Sequence, residues 1–243
     1  MKTSYVNLAE NMSTTQSDRE ILIEMRDILK VFHAGGVDYV ALKDISVDFY
    51  AGEFVSVVGK SGSGKSTLAN MITGIDHPTQ GSVIIAGTPI HTLKESPMSI
   101  WRGMNLGIVF QFYQLLPTLS LLENVMLPMD FCDSYPQGER EPRARELLDM
   151  VGLANFVDKL PAAVSGGQQQ TAAIARALAN DPPLIVADEP TGNLDSKTAE
   201  TVFGLFSKQA EMGKTIVMVT HDPELASKTD RVIRIHDGRL EQD

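Results

Sequence analysis

The sequence predicts an α/β fold: a parallel sheet assembled from both ends of the chain, with a helical lobe inserted between them. Three observations carry this. Near-continuous apolar, branched runs recur at EFVSVV (53–58), LIVADE (184–189), TIVMVTH (215–221) and RVIRIH (231–236). Strands of that kind are buried on both faces, as parallel strands are. Helical patterns stand between them, STLANMITG (66–74) closed by Gly74 and SKTAETVFGLFSKQAEMG (196–213). The middle of the chain, 112–181, carries helical patterns and no convincing strand.

The elements follow in order. Residues 1–20 are polar throughout and are expected to form a loose arm, not a signal-type leader. ILIEMRDILKVF (21–32) and YVALKDISVDFY (39–50) alternate in part and flank Gly35-Gly36, which predicts two strands around a turn. EFVSVV runs straight into a glycine loop. GSVIIAG (81–87) and LGIVFQ (106–111) are further strand candidates. The lobe then reads LSLLENVMLPM, REPRARELLDMVGL and SGGQQQTAAIARALAN.

Bulk composition excludes several classes. With 243 residues, 43% of them hydrophobic, the chain can build one sizeable core. A formal net charge of −10 and the lack of a basic run argue against a nucleic-acid partner. No apolar run is long enough to cross a membrane. The single Cys132 has no internal disulfide partner and suits a reducing setting. Trp101 and the eleven methionines are expected to serve packing.

GKSGSGKS, residues 59–66, matches the phosphate-loop pattern and sits between a strand and a helix. The glycines Gly59, Gly62 and Gly64 let backbone N–H groups turn inward at a helix N-terminus, which favours phosphate oxygens. Lys60, Ser61 and Ser63 complete the loop. Lys65 supplies a cation for the β and γ phosphates, Ser66 offers a hydroxyl to Mg²⁺, and Thr67 adds a phosphate contact.

Asp188 and Glu189 end an apolar strand, at the sheet edge where open α/β folds bind ligands. Asp188 suits a water-mediated Mg²⁺ role, and Glu189 suits activation of an attacking water. A solvated acidic pair at a loop is the competing explanation. Gln111 could touch both Mg²⁺ and water, or be a plain loop residue. His221 could bond a γ phosphate, Phe32 could stack on adenine or be a core ring, and Asp195 could cap the next helix or cross a subunit boundary. SGGQ at 165–168 offers a helix start with a Ser165 cap and two close-approach glycines, but no lysine.

The phosphate loop at 59–67, Gln111, SGGQ at 165–168, LIVADE, Leu194-Asp195 and His221, in that order, resemble the ATP-binding subunit of an ABC transporter. The likeness covers about residues 21–240. Longer stretches, GSGKSTLANMITGIDHPTQGSVIIAG, VFQFYQLLPTLSLLENVMLP and DEPTGNLDS, resemble the lipoprotein-release, macrolide-export and antimicrobial-peptide-resistance branch, whose permeases are FtsX-like. The resemblance implies a RecA-like P-loop NTPase core, an N-terminal antiparallel β subdomain and an inserted helical subdomain. It implies a head-to-tail homodimer with ATP and Mg²⁺ between the subunits, and a separate membrane permease at the cytoplasmic face.

Residue by residue, the resemblance implies that Phe32 stacks adenine and that Ser61–Thr67 hold phosphates. Ser66, Gln111 and, through water, Asp188 hold Mg²⁺. Lys65, Glu189 and His221 carry catalysis, Glu189 as general base and His221 as γ-phosphate switch. Ser165, Gly166, Gly167 and Gln168 contact the partner's ATP, and Asp195 the partner chain. Two departures stand out: Val164 where Leu is usual, and Thr171 where the pattern has Arg. The second removes a charge from the signature helix. A soluble ABC-type ATPase acting on DNA or ribosomes, and an ATP sensor without turnover, are the competing functions.

Overall fold

The computed structural model describes residues 19–241. The arm expected at 1–20 therefore lies, apart from Arg19 and Glu20, outside the described residues. Two sheets and a group of helices make up the fold. Strands β1 (Ile21–Ala34) and β2 (Val37–Tyr50) pair antiparallel around the Gly35-Gly36 turn, where φ is 58° and 79°. β4 (Gln80–Ile85) and the two-residue β5 (Thr88–Pro89) extend that sheet in the order β2-β1-β4-β5. This is the antiparallel β subdomain.

The second sheet has the order β10-β9-β3-β8-β7-β6. It comprises β3 (Phe54–Val58), β6 (Leu106–Val109), β7 (Leu184–Asp188), β8 (Thr215–Val219), β9 (Arg231–His236) and β10 (Arg239–Leu240). All its pairings are parallel except the β9–β10 hairpin. β8 is buried at every position and β3 and β7 at all but their last, which explains why they show apolar runs and no alternation. β3 sits between β9 and β8, so the glycine loop leaves from the middle of the sheet.

Helix α1 (Lys65–Thr73) follows the loop and stops at Gly74, whose φ is 61°. α2 (Glu95–Asn105) was not predicted from sequence. α3 (Leu121–Cys132), α4 (Gln137–Met150) and α5 (Gly166–Ala177) lie between β6 and β7, and the described residues there contain no strand. α6 (Ser196–Glu211) joins β7 to β8, and the short α7 (Pro223–Ala226) follows β8. The apolar core falls into two clusters. One buries α3, α4 and α5 with the underside of the parallel sheet and α6, and includes a Phe54–Phe203 ring stack at 5.4 Å. The other packs α1 between the two sheets, through Leu68, Met71 and Ile72. The packing role assigned to methionine holds for Met25, Met71, Met98, Met129 and Met218, whereas Met104 and Met212 are exposed.

Candidate functional site

The loop between β3 and α1 is shaped by its glycines. Gly64 caps α1 at φ 111°, and a Cβ there would sit 2.7 Å from the Ala41 carbonyl oxygen. Only glycine fits such a position. The Lys65 ammonium is held inside the loop, donating to the carbonyls of Gly59 at 3.0 Å and Lys60 at 3.1 Å. Ser66 Oγ donates to Asp188 Oδ1 at 3.1 Å. Burial pushes the Asp188 carboxyl above the usual range, and the neighbouring Glu189 adds to this, while the Ser66 hydrogen bond and Lys65 pull it back.

Glu189 has a left-handed backbone, φ 51°, at the exit of β7, fixed by its N–H on the Val219 carbonyl at 2.9 Å. Its Oε2 lies 2.5 Å from His221 Nδ1. Strand β8 carries the chain to His221, so two parallel neighbours deliver this pair to one edge. An open pocket of about 530 Å³ is lined by Tyr39, Ser61, Gly62, Gly64, Lys65, Ser66, Thr67, Gln111, Glu189 and His221. Phosphate loop, acidic pair, Gln111 and His221, dispersed in sequence, thus converge.

Other expected residues sit elsewhere. Phe32 is outside the lining of this pocket, on β1, partly exposed, with the Lys30 ammonium 4.8 Å from its ring centroid. Its cross-strand partner is Tyr39, whose hydroxyl donates to the Gly62 carbonyl at 3.2 Å. Sequence reading missed Tyr39. Ser165, Gly166, Gly167, Gln168 and Asp195 line a separate cleft of about 590 Å³ between α5 and α6. Ser165 and Gln168 form a reciprocal capping box at the start of α5. Asp195 caps α6, accepting from the Thr198 N–H at 3.1 Å and from the Thr198 hydroxyl at 2.6 Å. A Cβ on Gly166 would meet the Tyr113 hydroxyl at 2.6 Å. Thr171 is buried, and its hydroxyl donates to the Gly167 carbonyl at 2.7 Å within α5. That bond stands where the family pattern has a charged residue.

The segment after β6 hangs from α5. Arg176 donates to the Gln114 carbonyl at 2.5 Å and the Tyr113 carbonyl at 3.0 Å. Beside it, Leu106, Ile108, Pro128, Phe131, Cys132 and Ala177 contribute to a mainly apolar groove of about 470 Å³.

The ABC transporter family profile matches residues 42–192, more than half of the chain. The chain belongs to the ABC transporter ATP-binding family. It is an ABC-type ATPase. An ABC transporter ATP-binding protein of Thermotoga maritima is 47% identical over 90% of this chain and 94% of its own length. The macrolide export ATP-binding/permease protein MacB of Syntrophobacter fumaroxidans is 44% identical over 90% of this chain, which spans 31% of that longer protein. Among solved structures, the ATP-binding cassette MJ0796, dimeric and bound to ADP and Pi, superposes with a TM-score of 0.85. It is 43% identical and covers 91% of this chain and 97% of its own.

Proposed function

We propose that this ATPase powers a membrane export system of the macrolide-export and lipoprotein-release type, working as a head-to-tail homodimer on an FtsX-like permease at the cytoplasmic face. The observation that carries the dimer is the division of the motifs between two clefts. The phosphate loop, Glu189 and His221 line one, and Ser165–Gln168 with Asp195 line the other. A nucleotide in the first cleft meets the signature residues only if a second copy brings them. The dimeric state of MJ0796 supports this.

In the mechanism, the loop N–H groups and Lys65 cradle the phosphates, and Phe32 with Tyr39 flanks the base end. The site fits Mg²⁺: Ser66 and Gln111 offer a hydroxyl and an amide oxygen, and Asp188, hydrogen-bonded to Ser66, offers a carboxylate that would act through a bound water, all hard oxygen donors of the kind this ion takes. Bound there, it would neutralise charge on the β and γ phosphates. Glu189 accepts the proton of the attacking water. With Nδ1 donating to Glu189, a neutral His221 leaves Nε2 as an acceptor. A hydrogen bond from His221 to the γ phosphate therefore requires the imidazolium, or a ring freed from Glu189. The partner's Ser165 turn would place a helix N-terminus against the γ phosphate and so make ATP the link between subunits.

The exporter reading rests on MacB, in which a homologous cassette is joined to a permease, and on the apolar groove beside α3. Glu189→Gln tests the site. It should keep ATP binding, lower kcat about 10²- to 10⁴-fold, and shift from monomer to dimer with ATP in size-exclusion chromatography. Wild-type turnover in this variant would overturn the assignment.

A further inference from the structure

One buried amide joins three segments of the site. Gln170 lies in the second turn of α5 and is fully buried. Its Nε2 donates to the Phe110 carbonyl at 3.2 Å and to the Pro190 carbonyl at 2.7 Å. Phe110 immediately precedes Gln111, and Pro190 immediately follows Glu189. Both N–H bonds of one side chain are thus spent on the backbones that carry Gln111 and Glu189, the two groups assigned above to metal and water. The amide orientation is fixed by chemistry, since a flipped Gln170 would aim its own oxygen at two carbonyl oxygens. Its Oε1, by contrast, is buried without a partner. A buried amide that donates to two separate backbone segments ties them to each other and to α5.

We infer that Gln170 is a positioning residue that couples the seating of the signature turn to the placement of Gln111 and Glu189. This rests on the trans-site reading above. The N-terminus of α5 carries Ser165–Gln168, which the partner's nucleotide would engage. A shift of α5 on engagement moves the Gln170 amide, and with it the carbonyls on either side. Asn193 reinforces the link, donating from Nδ2 to the Gln111 carbonyl at 3.3 Å. The device makes the catalytic geometry depend on partner binding, so that a lone subunit holds ATP without turning it over.

The experiment replaces Gln170 by Met, which keeps length and removes both donors. ATP affinity of the monomer, measured with a fluorescent nucleotide, should stay within about twofold, while kcat falls on the order of 10²-fold, the scale of a small misplacement of reacting groups. The kcat loss should be non-additive with Gln111→Ala: once Gln111 is gone, removing Gln170 should cost clearly less than in the wild type. Gln170→Glu adds a readout that packing alone would not move. Its protonated form keeps one donor and its ionised form none, so its kcat relative to wild type should rise as pH falls. Unchanged kcat, an additive cycle, a parallel loss of ATP binding, or failure of both variants to fold would each overturn the inference. Glu189→Gln separates this from the wider reading: if that variant turns over normally, the site assignment fails rather than the coupling.

Discussion

At the scale of single residues, Asp188 shows how a group proposed to serve the site acts against stability. Burial raises its carboxyl pKa above the ordinary value. The folded state therefore favours the protonated form, and the stability linked to that preference is full below the unfolded pKa, near 4, and is lost as pH rises through the folded pKa. Asp188→Asn removes the penalty. The nucleotide-free variant should melt higher than wild type at neutral pH, and the difference should vanish below about pH 4, as calorimetry across pH would show. Adding ATP with Mg²⁺ should stabilise the wild type more than the variant, because ligand raises Tm only where it binds. Phe32 gives a second prediction. If its ring stacks on adenine, Phe32→Ala should weaken ATP binding about 5- to 150-fold, from roughly 1–3 kcal/mol of stacking, with kcat at saturation little changed. An unaltered Kd would return Phe32 to an ordinary strand residue. The phosphate loop was legible because its chemistry is local. Tyr39, Gln170 and the Glu189–His221 contact were not, since each depends on chain segments brought together by the sheets.

Among elements, the helix starts separate structure from function. α3 and α5 carry the same reciprocal box, Ser120 with Glu123 and Ser165 with Gln168. Removing either serine hydroxyl should cost about 1 kcal/mol and lower Tm by about 2–4 °C. Only Ser165→Ala should also slow hydrolysis, because only that hydroxyl faces the proposed partner nucleotide. Equal ATPase rates in the two variants would mean that the Ser165 cap is structural alone. The buried strands and the Ser165 cap were readable for a physical reason: an unbroken apolar run or a serine before two glycines and an apolar helix is a local signal. α2 was missed even though ESPMSIWRGMN is amphipathic: it is short, and only Met98 of its apolar face is fully buried. β5 and β10 hold two residues each, too few to show a pattern. The assignment of 81–87 to the antiparallel sheet rather than the parallel one also depends on pairing with β1 across more than fifty residues, which periodicity does not encode. Thr171 was opaque in sequence and becomes intelligible as a hydroxyl turned back on its own helix, at the Gly167 carbonyl.

For the molecule as a whole, ATP hydrolysis does work only if motion in the clefts reaches another protein. Among the described residues no helix is long and apolar enough to cross a membrane. The structure nevertheless leaves apolar side chains in water around one groove. Phe131, which lines it with Leu106, Ile108 and Pro128, is 79% exposed. A ring as exposed as Phe131 beside an apolar groove marks a candidate interaction surface. The groove is also wired to the nucleotide site: Arg176 lines it and holds the carbonyls of Tyr113 and Gln114, the continuation of the segment that carries Gln111. A partner helix seated here would feel any shift of that segment. Phe131→Asp places a charge in the middle of the proposed contact at a site too exposed to matter for folding, with a stability change within about 0.5 kcal/mol. ATP hydrolysis by the purified chain is the control for folding. Recovery of the chain with membranes, and of a permease with the tagged chain, should drop at least tenfold, the effect of losing about 1.4 kcal/mol or more at an aromatic anchor. Undiminished recovery would move the permease contact to another face, and a partner set lacking any membrane protein would favour a soluble ATPase acting on some other assembly.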